Sequence, residues 1–136
     1  MSTELTTARL RLRSLSKIQL NYCLNNMNEL EKELGLSISK KLVDDNVVRA
    51  INMKLNKMTK ADLEFHDWFT YWLIIINNKP IGIGLIGFKG YPNEKGETEI
   101  GYGIDSDYWN QGYMTEAVKI LCGRRTTEPN RSICIK

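Results

Sequence analysis

Two neighbouring stretches decide the fold: Glu97-Thr98-Glu99-Ile100-Gly101-Tyr102-Gly103-Ile104, and Tyr108-Trp109-Asn110-Gln111-Gly112-Tyr113-Met114-Thr115-Glu116-Ala117-Val118. The first reads as a strand. A loop from Asp105 to Gln111 follows, and a helix opens at about Gly112 and runs to Cys122. The N–H groups at a helix start carry a partial positive charge and point outward, so they can cradle an anion. Gly112 has no Cβ, so a ligand can approach the backbone closely there. Gln111, Gly112, Tyr113, Met114 and Thr115 supply the N–H groups. Gly101 and Gly103 clear alternate positions on the strand, so an extended ligand can lie alongside. An amide-bearing arm ending in a pyrophosphate suits both features, and coenzyme A has that shape. Taken singly, a glycine at a helix start reads as a plain turn, and strand glycines read as a bulge or a close backbone contact.

Upstream, Trp68 to Asn77 is aromatic and β-branched, and Asn77-Asn78-Lys79-Pro80 is a turn signal. Ile81 to Phe88 forms the partner strand of a hairpin, and a polar loop from Gly90 to Gly96 follows. The opening Arg9-Leu10-Arg11-Leu12-Arg13-Ser14-Leu15 alternates with period two. It reads as a strand with leucines inward and arginines on a solvated face, rather than as an anion site. Residues 16–57 read as helical. Ser16 caps a first helix that stops at Gly35, and Leu42, Val43, Val47, Val48, Ile51 and Leu55 stripe a second. Downstream, Arg124 to Asn130 breaks the apolar rhythm and reads as fraying helix and loop. Arg131 to Lys136 alternates like a strand. The order predicts an α+β fold, a mainly antiparallel central sheet flanked by helices, in one domain over residues 1–136.

Composition narrows the classes. The chain has 136 residues, 42% hydrophobic and 26% charged, which fits one globular domain. Its net charge is +3, from 19 basic and 16 acidic residues of interspersed sign, and this does not mark a nucleic-acid binder. Cys23, Cys122 and Cys134 are widely spaced without a CxxC, and His66 is the only histidine, so neither a disulfide framework nor a metal site is expected. Met1-Ser2-Thr3-Glu4 is not a signal peptide, and the run Trp72–Ile76 is too short to span a bilayer. The expectation is a reduced, cytoplasmic protein with no membrane association.

Three passages together resemble the GNAT superfamily of acetyl-CoA-dependent N-acetyltransferases. They are Thr7 to Arg13, Ile81 to Phe88, and Glu99 to Ile104 leading into Gly112 to Ala117. The branch they resemble acetylates the N-termini of ribosomal proteins. In the family, the loop-to-helix segment reads Arg or Gln, two residues, Gly, one residue, then Gly or Ala, and its amides bind the coenzyme A pyrophosphate. The corresponding positions here are Trp109, Gly112 and Met114. Trp109 and Met114 depart from the pattern, and Asn110 stands where this branch often has glycine. A larger side chain at 114 is expected to crowd the phosphates.

The resemblance implies direct acetyl transfer to a primary amine of a protein N-terminus or small molecule, with acetyl-CoA as co-substrate. Ile100, Gly101 and Tyr102 join residues 111–115 in the coenzyme site. Glu99 is the candidate base that takes a proton from the acceptor amine, against its reading as a solvated strand residue. Tyr102 and Tyr108 are candidates to line the cleft, and His66 is expected near an aromatic-rich strand start. The family continues with a helix and two strands beyond the segment resembling Arg131–Lys136, and with a tyrosine credited as general acid. Residues here match neither, so the expectation is a domain incomplete at its C-terminus, with no general acid assigned. The open edge then predicts a homodimer or a loosely packed domain. The competing readings are a non-catalytic coenzyme A-binding module and an oligomerising module with a degenerate GNAT fold.

Overall fold

The computed structural model describes residues 3–126 of the chain. Its centre is a six-stranded sheet: β1 (Glu4–Thr6), β2 (Leu10–Ser14), β3 (Ser37–Ile38), β4 (Trp72–Ile76), β5 (Ile81–Phe88) and β6 (Ile100–Ile104). Strands run in the order β1-β2-β4-β5, and β5 carries both β3 and β6 on its far side. All pairings are antiparallel except β3 with β5. The helices are α1 (Lys17–Asn25), α2 (Met27–Leu34), α3 (Asp45–Lys60) and α4 (Tyr113–Thr126).

Period-two alternation divides the core in two. Leu10, Leu12, Trp72, Ile74, Phe88 and Ile100 point to one face and meet Ala117 and Leu121 of α4. Leu15, Leu73, Ile75 and Leu85 point to the other, under Leu20 of α1, Leu30 of α2 and Ile51 and Met58 of α3. A register shift between Ile74 and Ile75 leaves Ile83 as the extra residue of β5, between Gly82 and Gly84. Its carbonyl is not wasted, because Asp105 N–H donates to it at 2.8 Å just beyond β6.

The α+β architecture, the Asn77–Pro80 hairpin and the helix after Gly112 match the expectation. Several details are corrected. The first helical region is two helices, broken at Asn26 (φ −158°, ψ 65°), whose side chain caps α2. Gly35 ends α2 in the left-handed region as expected. The second helix starts at Asp45 and not at Leu42, because the Asp44 side chain accepts from Val47 N–H and fixes the start. Trp68 closes a 3-10 turn, Leu63–Trp68, rather than opening a strand. The strand expected from Glu97 begins at Ile100, although Lys89 N–H still donates to Glu99 O at 2.8 Å. Strands β1 and β3 are too short to show as alternation, and α4 extends past Gly123 to Thr126. The expected strand 131–136, and the open edge inferred from it, lie outside the described residues. Among those residues, no helix is long and apolar enough to cross a membrane.

Glycine spacing on β5 sets how closely its neighbours sit. A Cβ at Gly87 would lie 2.5 Å from the Thr70 carbonyl, whereas one at Gly103 would meet nothing within 4 Å. Gly87→Ala is therefore expected to cost about 1–3 kcal/mol through overpacking. Gly103→Ala should stay within about 0.5 kcal/mol of the parent. Urea unfolding of both variants checks the contrast.

Candidate active site

The site is built where β6 hands over to α4. Asp105 turns the chain, its buried carboxylate accepting from Asp107 N–H at 3.0 Å and from the Ser39 hydroxyl. The Ser39 hydrogen bond, then that of Asp107, holds the Asp105 carboxyl below the usual carboxylate range. A 3-10 turn, Ser106–Tyr108, follows, and Trp109 Nε1 donates back to Ile104 O at 2.9 Å. The backbone then passes through the left-handed region at Asn110 (φ 63°) and again at Gly112 (φ 80°). Asparagine tolerates that region better than most residues, which explains its presence at 110.

Helix geometry leaves the first-turn N–H groups of α4 without intrahelical acceptors. The helix start borders a cavity of about 310 Å³ lined by Gly112, Tyr113, Met114 and Thr115, and by Trp109, Tyr108 and Ile104. Gly112 O receives the first helical bond, from Glu116 N–H at 3.0 Å.

This helix start is pinned to β2 by one side chain. Arg9 Nη1 donates to Gln111 O at 2.8 Å, and Arg9 Nε donates to Glu116 Oε1 at 2.8 Å. The guanidinium carbon lies 4.4 Å from the Tyr113 ring centroid. Glu116 also accepts from the Arg9 backbone N–H at 3.2 Å and from the Thr7 hydroxyl. Partial burial pushes the Glu116 carboxyl up, but the bonds from Thr7 and Arg9 outweigh it and hold it below the ordinary value. Sequence alone assigned Arg9 to a solvated strand face. Arg11 and Arg13 do lie there, 3.9 and 3.8 Å from Glu4, but Arg9 is the anchor of the loop. A pairing across more than a hundred residues leaves no local signal.

The expected site residues divide. Gly112, Tyr113, Met114 and Thr115 line the cavity together, whereas Gln111 spends its carbonyl on Arg9 and is not part of the wall. Met114 also packs against the α4-side core, so part of its bulk is directed away from the loop. Ile100 is buried in that core, and Gly101 faces the other side of the sheet. Tyr102 is 52% exposed and does not line the cavity, whereas Tyr108 does. Glu99 lies on the side of β6 away from α4, with Oε2 3.5 Å from Lys89 Nζ. His66 sits in the 3-10 turn with Nε2 3.2 Å from Ala61 O, a local packing role.

The model of the Acetyltransferase (GNAT) domain matches residues 9–135. The chain belongs to the GNAT acetyltransferase family. As such it is an acetyl-CoA-dependent N-acetyltransferase. A similar curated protein is the uncharacterized N-acetyltransferase YjdG of Bacillus subtilis (strain 168), 28% identical over 122 residues, covering 86% of this chain and 68% of that protein. Among solved structures, the ribosomal L7/L12 alpha-N-protein acetyltransferase RimL superposes with TM-score 0.61 at 16% identity, over 99% of this chain and 71% of RimL. The microcin C7 self-immunity acetyltransferase MccE, solved with acetyl-CoA and AMP, gives TM-score 0.57 at 15% identity, over 95% of this chain and 69% of MccE. These structures establish the shared fold. Among the described residues, no cluster of three or more His, Cys, Asp or Glu side chains is placed to hold a metal.

One further group near the site went unnoticed in the sequence, because an amphipathic stripe gives no reason to bury a lysine. Lys54 of α3 is 8% exposed, donates to Phe88 O at 3.0 Å, and lies 4.4 Å from the Tyr71 ring centroid. Burial, helped by Lys57 and Lys89, lowers its pKa from 10.5 to about 7. Between those values the unfolded chain binds more protons than the folded one, so stability rises with pH. Burial raises Cys23 from 9.0 to about 12, which offsets the Lys54 effect once the unfolded thiol ionises, and raises Tyr71 above 10.0, which reverses the trend at higher pH. Unfolding free energy is expected to climb from pH 7 to about 9, level off, and fall above about pH 10. Lys54→Met should flatten the climb, as chemical denaturation across that range would show.

Proposed function

We propose that the chain transfers the acetyl group of acetyl-CoA to a primary amine of a protein N-terminus or small molecule, with the helix start at Gly112 holding the coenzyme. The observation that carries this reading is the conjunction at one point of a left-handed glycine, a helix's unbonded first-turn amides and a cavity of about 310 Å³. A Cβ at Gly112 would project 3.3 Å from Arg9 Nη2, into the gap between the anchor and the cradle. Absence of that carbon keeps the gap open for a diphosphate. The amides of Gly112 to Thr115 would hold the diphosphate, with Arg9 as a nearby cation. The amide-bearing arm would run along Ile100, Gly101 and Tyr102 of β6. The likeness to RimL, an alpha-N-protein acetyltransferase by name, favours a terminal amine as acceptor.

Bound acetyl-CoA supplies the activated acetyl thioester. The chain's own task is to position the acceptor and remove its proton. Only the neutral amine has a lone pair with which to attack. Glu99, just before β6, is the carboxylate suited to take that proton, and Lys89 at 3.5 Å orients it. Main-chain N–H groups of the same strand can polarise the acetyl carbonyl.

Calorimetry with coenzyme A and thiol release from acetyl-CoA test the reading. The parent should bind coenzyme A. Gly112→Val, which fills the cradle at a left-handed φ, should weaken binding at least about tenfold, or 1.4 kcal/mol. Unchanged affinity would displace the cradle from residues 111–115. Glu99→Gln should slow thiol release by about 10²- to 10⁴-fold with coenzyme A affinity retained. An undiminished rate would return Glu99 to a structural ion pair. Coenzyme A binding with no thiol release from any amine would favour a non-catalytic binding module.

A further inference from the structure

A second cavity, of about 210 Å³, opens on the opposite side of β6 from α4. Three lysines line it: Lys54 and Lys57 of α3, and Lys89 just past β5. Its wall includes Gly101, which pairs with Gly87 across the β5–β6 ladder. Both glycines lack side chains on this face: Lys54 Nζ sits 3.2 Å from the position a Gly87 Cβ would take, and Lys89 Cε 3.4 Å from that of a Gly101 Cβ. Lys57 Nζ donates to Lys89 O at 3.2 Å, so successive carbonyls of the β5 end, Phe88 and Lys89, hold the two ammonium groups of α3.

A purely structural role would need only one such anchor. Lys57 and Lys89 lie close enough to Lys54 to help burial lower its pKa, and carbonyl oxygens are neutral partners. Two carboxylates bear on this region: Glu99 beside Lys89, and Asp44, which acts on the Tyr71 side. The cavity's positive charge therefore comes chiefly from Lys57 and Lys89 at its rim. The remaining wall is apolar, from Met53, Phe69 and Tyr71, and suits a short methylene stem. The space is smaller than the roughly 300 Å³ at which whole-ligand pockets begin, so it fits one side-chain-sized anionic group rather than an entire substrate.

We propose that this lysine-lined cavity is the acceptor's anion subsite, taking a carboxylate carried one residue or less from the amine that is acetylated. The proposal rests on the acetyl-transfer reading above and adds the chemistry of the acceptor. Lys57 and Lys89 at the rim draw the carboxylate in, and Lys54 closes the inner end. Glu99, bound to the same Lys89, then stands beside the amine. Such a carboxylate comes either from an acidic second residue of a peptide or from a free acidic amino acid.

Binding of amidated Ala-Asp-Ala, amidated Ala-Asn-Ala and free aspartate to the whole chain separates these possibilities, followed through the backbone amides of Gly87 and Gly101. The aspartyl peptide is expected to bind about tenfold or more tighter than its asparaginyl twin, since charge-assisted hydrogen bonds replace neutral ones. It should also shift both glycine amides. The double variant Lys57→Gln, Lys89→Gln changes two exposed side chains and should erase the difference. Free aspartate binding as tightly as the peptide supports the subsite with a small-molecule acceptor. Weaker binding of aspartate supports it with a polypeptide terminus. Equal affinity for the two peptides, or glycine amides that do not move, overturns the proposal. These outcomes are read without the coenzyme, so a failure to bind coenzyme A would count against acetyl transfer and not against the subsite.

Discussion

The hold of Arg9 on the first turn of α4 is the interaction on which the site depends. One guanidinium ties the Gln111 carbonyl, the Glu116 carboxylate and the Tyr113 ring to the start of β2. As an exposed ion pair it contributes at most about 1 kcal/mol to stability. Its consequence is geometric. The Gln111 carbonyl is taken up by Arg9, and the residues that follow it line the cavity. A helix start free to rotate would present that cavity with a mixture of donors and acceptors. Thr7 and the Arg9 backbone add bonds to the same carboxylate, which makes the attachment multiple rather than single.

The sheet makes this attachment possible by sorting chemistry to its two sides. Alternation sends Ile100 toward α4 and Gly101 toward α3, so one short strand serves two cavities. The α4 side offers main-chain donors to a large anionic ligand. The α3 side offers lysine amines and the Glu99 carboxylate. On the α3 side, the missing side chain of Gly87 leaves room for the Thr70 carbonyl and for Lys54.

Much of this was legible from residue order, and the reasons differ from place to place. The loop and helix at 105–122 announced themselves because Gly112 marks a backbone turn that few residues tolerate, whereas the left-handed Asn110 beside it was read only as a departure from the family pattern. Hairpin β4–β5 was plain from its β-branched runs and the Asn77–Pro80 turn. Element starts were less legible. Asp44 fixes the start of α3 by a side-chain bond, and a hydrophobic stripe reaching back to Leu42 hides it. Strand β3 has two residues, too few for any period. The long-range partners were invisible: Arg9 finds Glu116, and Lys54 finds the Phe88 carbonyl, only after the sheet has formed. Sequence therefore marked the helix start at Gly112 but not the Arg9 that holds it, and named Glu99 without the lysines around it.

The central claim is that the amides of Gly112 to Thr115 grip the diphosphate of acetyl-CoA. Backbone amide NMR during titration with coenzyme A tests it most directly, on the parent and on Arg9→Ala. The account predicts that the largest shifts fall on residues 112–115, and that Arg9→Ala both weakens binding and spreads the shifts along the loop. Shifts confined to other parts of the chain, with those four amides unmoved in the parent, would contradict it.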